Sequence, residues 1–307
     1  MLTGPLVFEL PAFLLGLLLG SFLNVCISRL PGRQSILKPR SHCPDCLQTI
    51  AWHDNIPILS WILLRGRCRH CGKPIAWRYP LVEIGFAAWL TFAARTTFPL
   101  LKPGMPFNTV VNAMMDATGL AILGFLLLGL LVMDWQTHTL PDAFTLSGSL
   151  IGLLLICVRA AYLLPHQYDL LLRGPDPLTS VGGAMDQGNI VLTGPEHLIL
   201  GRLYAMVLLA GILLFIRFAY KALRGREGLG MGDIKLAAMM AAFLGFWLGA
   251  FAVFLGVILC AGYAGTLIAR RRATAMTRLP LGTFLCIGGL IAAILGAPVI
   301  AWYASLF

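Results

Sequence analysis

The apolar residues of this chain come in runs of membrane-spanning length, and that leaves few folds open to it. Runs of roughly 17–25 residues fall near 8–28, 80–99, 112–133, 143–163, 198–219, 233–248, 250–269 and 281–303, the sixth and seventh separated only by Gly245 to Gly249. Inside hydrocarbon the backbone must satisfy its own hydrogen bonds, which a helix does within one segment. Of the 307 residues, 58% are hydrophobic and 12% charged, and the mean hydropathy is +0.83. The expected fold is therefore an all-α polytopic membrane protein with about eight transmembrane helices. The run from Leu10 to Ile27 has no basic segment before it and no small-residue cleavage site after it, so it is expected to stay as the first helix.

Charge sets the orientation. Nine Lys or Arg lie in 29–79, four in 221–235 (Lys221, Arg224, Arg226 and Lys235) and four in 270–278, which is seventeen of the twenty-three in the chain. These three segments alternate with the spans so as to share one face, and the positive-inside rule makes that face cytoplasmic. An even number of spans then puts both termini on the opposite, extracytoplasmic face. The formal net charge of +10 reflects this topology and an affinity for anionic lipid, so a nucleic-acid partner is not expected. The division that follows is a first transmembrane helix at 1–28, a cytoplasmic loop at 29–79, and a membrane core at 80–307.

The loop carries Cys43-Pro-Asp-Cys46 and, 21 residues later, Cys68-Arg-His-Cys71. Two C-x2-C turns at this spacing present four thiolates to one tetrahedral ion, as in a zinc ribbon. Lys38, Arg40, Arg65, Arg67, Arg69 and Lys73 flank them, and such cations lower thiol pKa values and offset the charge of a four-thiolate site. The rival reading is a pair of disulfides or a dithiol redox site, which a cytosolic location disfavours. Some fifty residues bury little core, and a metal is the usual remedy. His42 and His70 adjoin the cysteines but are not needed to complete the shell. Cys26, Cys157, Cys260 and Cys286 lie in apolar runs and are expected to pack there.

Carboxylates in or beside lipid are costly, so two at the ends of apolar runs are functional candidates. Asp134 closes one run and Asp233, in Gly228-Leu-Gly-Met-Gly-Asp-Ile-Lys235, opens another. The charge count places both on the cytoplasmic surface. Asp134 sits at a helix C-terminus, where the dipole disfavours an anion. Asp142, after Pro141, has the simpler reading of an early-helix acid. Gly225, Gly228, Gly230 and Gly232 permit close backbone approach around Asp233, although a flexible loop ending in a capping Asp has the same local pattern. If the fold joins them, one carboxylate stays protonated while the other ionises, and the pair suits aspartyl proteolysis.

Several further segments carry a resemblance: Gly20-Ser-Phe-Leu-Asn-Val25, Arg29-Leu-Pro31, Ser41-His-Cys-Pro44, Asn55-Ile-Pro57, Leu59-Ser-Trp61, Arg65-Gly66 and Arg78-Tyr-Pro-Leu-Val-Glu83. With the two aspartate motifs, the chain resembles the type IV prepilin peptidases, GxGD-type aspartyl proteases of the bacterial inner membrane. The resemblance implies cleavage of prepilins and type II secretion pseudopilins after the glycine of a short basic leader, at the cytoplasmic face. N-methylation of the new terminus with S-adenosylmethionine as donor would follow. By motif, Asp134 and Asp233 fall on the catalytic pair, with Gly230, Gly232 and Lys235 beside the second and Asp142 on a secondary acidic position. The loop with Cys43, Cys46, Cys68 and Cys71 falls on the zinc region linked to methyl transfer. Gly66 and Arg67 fall on a segment associated with methylation, where some members carry lysine.

One stretch departs from the family: a polar, Gly/Pro-rich insertion at about 164–197, read as an extracytoplasmic loop, with His166 and His197 as solvated residues. A peptidase without methyltransferase activity is the second enzyme reading, and the zinc loop argues against it. A transporter or channel would carry its acids near mid-membrane in matched halves, whereas these acids sit at run ends and no internal repeat is visible.

Overall fold

The computed structural model describes residues 6–97, 107–163, 195–226, 228–271 and 279–305. The expected polar insertion, with His166, lies outside the described residues up to Pro195, where a helix begins, and so does the side chain of His197. Among the described residues the regular structure is helical, with only two isolated β-bridges. The chain forms two compact units, Met1–Met133 and Asp134–Phe307.

In the first unit, helix α1 (Leu6–Arg29) leads into the loop, which holds a 3-10 turn at Trp52–Asn55 and the short α2 (Leu59–Leu63). Helices α3 (Arg78–Thr97) and α4 (Phe107–Thr137) follow, the latter running to the unit boundary and just past it. Helix α1 carries Gly16 and Gly20 one turn apart on one face. A Cβ on Gly20 would stand 2.8 Å from the Glu83 Cα, and one on Gly16 would meet the Ala87 backbone. Residue 16 thus pairs with 87 and residue 20 with 83, so α1 and α3 run antiparallel with their backbones in contact, the small-xxx-small packing of membrane helices. Further along α3, the buried Trp89 indole donates to the Leu120 carbonyl at 2.7 Å. Gly124 leaves room for that ring.

The second unit holds α5 (Asp142–Leu163), α6 (Pro195–Arg224), α7 (Met231–Ala269) and α8 (Leu281–Ala304). As an unbroken rod the 39 residues of α7 would span about 58 Å, nearly twice the ~30 Å hydrocarbon core. Helix α7 is not a rod. Gly245 adopts φ 81°, ψ −175°, a region open essentially to glycine alone. A Cβ on Gly249 would lie 3.4 Å from the Ala241 Cα, where a continuous helix would part those residues by about 12 Å. The helix therefore folds back on itself into legs at 231–244 and 246–269. The sequence places the same break between 245 and 249. Helix α8 runs antiparallel to the second leg, since Gly256 abuts the backbone at Leu285 and Gly288 that at Ala252.

Arg202 of α6 is 8% exposed, and a Cβ on Gly245 would come within 2.5 Å of its guanidinium. The last carbonyls of the first leg have no helical N–H to accept, so a buried cation belongs at that break. Gly245→Ala is expected to destabilise the protein by about 1–3 kcal/mol, read as a lower thermal midpoint in detergent.

Among the described residues, five helices are long and apolar enough to cross a membrane: α1, α4, α5, α6 and α7. In α8 the apolar described stretch, Leu281–Gly296, is shorter. Helix α3 is the least apolar of the expected spans because it carries Arg78, Glu83 and Arg95. The chain is an all-α, multi-spanning membrane protein.

Candidate active site and metal centre

Asp134 occupies the last turn of α4 and is 5% exposed. Its Oδ2 accepts two hydrogen bonds from the first turn of α8, from the Thr283 N–H at 2.7 Å and the Thr283 hydroxyl at 3.0 Å. The partners are 149 residues apart in sequence. Gly282 makes this approach possible, because a Cβ there would sit 3.0 Å from the Asp134 carboxyl carbon. An anion that its own helix dipole disfavours is thus held by the N-terminal end of another helix, where donors are unpaired and the dipole is favourable.

Asp233 is the third residue of α7, and its Oδ2 accepts the Gly230 N–H at 3.2 Å. The capping role that the sequence allows as the simpler reading is therefore present. It does not exclude the other role, for Leu140 packs both on Gly232, next to Asp233, and on Gly282, which abuts the Asp134 carboxyl. Gly232 lets the start of α7 close on the loop before α5, where a Cβ would stand 3.1 Å from Leu140. Two residues on from Asp233, Lys235 pairs with Asp142 at 2.7 Å. Both are partly exposed, so the contact adds little stability; it ties α5 to α7 beside the carboxylates.

In the first unit the four loop cysteines converge. Their sulfurs all lie within 4.8 Å of one another, with Cys43 Sγ and Cys71 Sγ at 3.9 Å. Tetrahedral zinc with Zn–S bonds of about 2.3 Å requires sulfurs about 3.8 Å apart. The two C-x2-C turns are built alike. Cys43 N–H donates to the Gln48 carbonyl and Leu47 N–H to that of Cys43; Cys68 N–H donates to the Lys73 carbonyl and Gly72 N–H to that of Cys68. Leu47 and Gly72 take the same positive φ, at 59° and 70°. All four cysteines are free thiols, and the donor set fits one ion better than two disulfides.

Two of the cations that flank this cluster in sequence also engage acids. Arg69 grips Asp54 through two hydrogen bonds of 2.6 and 2.7 Å, and Lys73 pairs with Asp45 at 2.7 Å. The Cys68 thiol falls to about 7 chiefly because the backbone N–H groups of Cys71 and His70 point at its sulfur. Two of the six flanking cations, Arg69 and Lys73, are thus also paired with acids. His42 uses Nδ1 on the Arg40 carbonyl at 3.1 Å, consistent with an all-cysteine shell.

Residues 14–97 match the Bacterial Peptidase A24 N-terminal domain, and residues 120–265 match the Type IV leader peptidase family. The prepilin leader peptidase/N-methyltransferase of Aeromonas hydrophila is 32% identical, over 96% of this chain and 93% of its own length. The chain belongs to the type IV leader peptidase family. A Klebsiella pneumoniae protein of the same name is 36% identical over 76% of this chain and 84% of its own. One from Myxococcus xanthus is 35% identical over 86% of this chain, which spans 63% of that longer relative. No solved structure matches.

Within this leader peptidase, the two residues that the resemblance associates with methylation are placed differently. Gly66 is buried at φ +65°, and a Cβ there would press on the Trp61 indole at 2.8 Å. Arg67 is exposed and contributes a backbone bridge to Pro74. Thr283 and Gly282 escape sequence reading, since a Gly-Thr pair opening an apolar run is unremarkable locally. Thr283→Val removes one of the two donors to Asp134 and is expected to lower kcat of the leader peptidase about tenfold with little change in KM. Thr283→Ser should restore it.

Proposed function

We propose that Asp134 and Asp233 form the catalytic pair of a peptidase that removes the basic leader of type IV prepilins and type II secretion pseudopilins after a glycine. The new N-terminal residue is then methylated. The observation that carries this reading is the bracing of Asp134 by Thr283 within the same helical unit as Asp233. The names of the relatives and the family match support the substrate class.

Proteolysis by such a pair needs no covalent intermediate. The ionised carboxylate takes a proton from water as its oxygen attacks the scissile carbonyl carbon. The protonated partner donates to the carbonyl oxygen, and the resulting diol collapses as the leaving nitrogen receives a proton. Each carboxylate is held through one oxygen, which leaves the other for the water or the substrate. The two acids titrate as a coupled pair, so the roles belong to the pair. Asp142 and Lys235 position the start of α5 against α7 rather than the reacting atoms.

In the first unit, Cys43, Cys46, Cys68 and Cys71 hold a zinc ion whose part is to order a loop too small to fold on its own core. S-adenosylmethionine supplies the methyl group. By the distribution of Lys and Arg, the termini are periplasmic and the carboxylate pair faces the cytoplasm of the inner membrane.

Incubating a prepilin with the protein in proteoliposomes tests this reading, with intact mass as the readout. Leader loss without donor, and leader loss plus one methyl with S-adenosylmethionine, is the expected result. An uncut prepilin overturns the peptidase; a cut but unmethylated one overturns the second activity.

A further inference from the structure

The first unit contains a cavity of about 630 Å³ between the cysteine loop and the adjoining ends of α1 and α3. That volume is ordinary for a small-molecule site. Trp61, Tyr79 and Ile58 supply apolar wall, and Cys43 and Cys68 of the metal cluster lie on its rim. Zinc would therefore also fix one wall of this space.

Four charged side chains on the wall are matched in two pairs, Asp45 with Lys73 and Asp54 with Arg69; of the other two cations there, Arg29 donates to the Ser35 and Pro39 carbonyls and Arg78 lies over the Tyr79 ring. The third acid on the wall is different. Glu83 is 7% exposed, and its Oε2 accepts the Ile58 N–H at 2.8 Å. No cation among the described residues pairs with it. A buried carboxylate is retained only where something offsets its desolvation, and the hydrogen bond Glu83 accepts from Ile58 comes from a neutral backbone N–H.

The backbone that serves Glu83 is itself strained. Ile58 has φ 61°, ψ −52°, and the Leu59 N–H closes on the Pro57 carbonyl at 2.5 Å. This is the rare γ-turn with positive φ, and a β-branched residue at its centre is an outlier. The turn aims one N–H at Glu83. Gly20 brings α1 against the backbone at Glu83, and Gly66 seats Trp61 in the wall. The glycines thus fix the acid and one aromatic face of the same space.

We propose that this cavity is the methyl-donor site, with the Glu83 carboxylate answering the positive charge of S-adenosylmethionine and the Trp61–Tyr79 wall taking its adenine. The proposal rests on the methyl-transfer reading above and adds the place and the charge logic. Glu83 favours a sulfonium over a neutral thioether, so the donor is held more tightly than the spent product, S-adenosylhomocysteine. Transfer removes the charge that Glu83 binds and so promotes release.

The test is equilibrium binding of S-adenosylmethionine and S-adenosylhomocysteine to the full-length protein in detergent, with ultraviolet cross-linking of the labelled donor and peptide mapping. Wild type should prefer the sulfonium about tenfold, and the cross-link should fall within residues 54–83. Glu83→Gln, with its bound metal checked as a sign of an intact loop, should bring the two affinities to within about twofold. Wild type that binds both compounds equally, a Gln variant that keeps the preference, or a cross-link beyond the first unit overturns the site while leaving methyl transfer standing. Wild type that binds neither compound overturns the methyl-transfer reading itself.

Discussion

Asp134→Asn and Asp233→Asn should each lower prepilin cleavage by a factor of about 1000 or more, measured as single-turnover leader removal in proteoliposomes. The reason lies in the chemistry of the pair. One carboxylate must accept a proton while the other donates one, and an amide can do neither. The shape of the site should survive, because an amide oxygen can still accept from the Thr283 N–H and hydroxyl or from the Gly230 N–H. Thermal midpoints are therefore expected to move far less than rates. Methylation of a pilin supplied already cut should continue in both variants, because the cysteine loop lies in the other compact unit.

Replacing Cys43 and Cys68 together with serine should reduce bound zinc from about one per chain to none, by elemental analysis. These two residues sit on different C-x2-C turns, so each turn loses a thiolate. Metal binding supplies such small domains with about 10 kcal/mol or more of folding free energy, and the loop's hydrogen bonds alone do not replace it. The Arg69–Asp54 and Lys73–Asp45 pairs, both exposed on the cation side, contribute little by comparison. Methylation should fall to background while leader removal persists. A variant that binds no metal yet methylates at the wild-type rate would separate the cysteine cluster from the second activity.

What could be read from the chain depended on how far each signal reaches along it. The C-x2-C turns are local, and their spacing alone predicts the sulfur cluster found at Cys43, Cys46, Cys68 and Cys71. The break in α7 was also legible, because glycines interrupt an apolar run too long for one span. Asp134 and Asp233 stood out as charges at run ends, but their supports did not. Thr283 lies 149 residues from Asp134, and nothing in Gly282-Thr283 announces a carboxylate above it. Glu83 was visible only as part of a motif. Its lack of a cation, and the strained Ile58 turn that serves it, exist only once α3 has packed on α1 through Gly16 and Gly20. The basic residues near the cysteines were legible by proximity, but that Asp45 and Asp54 engage two of them was not.

The central claim is that Asp134 and Asp233 act as one catalytic unit, and the double variant Asp134→Asn/Asp233→Asn tests it most directly. Cleavage of one prepilin is measured at single turnover for wild type, each single variant and the double. A shared unit predicts that the double falls to the same residual rate as either single, because losing one member already disables the pair. A double variant whose loss is the product of two partial single losses, or a single variant that cleaves at the wild-type rate, would contradict it.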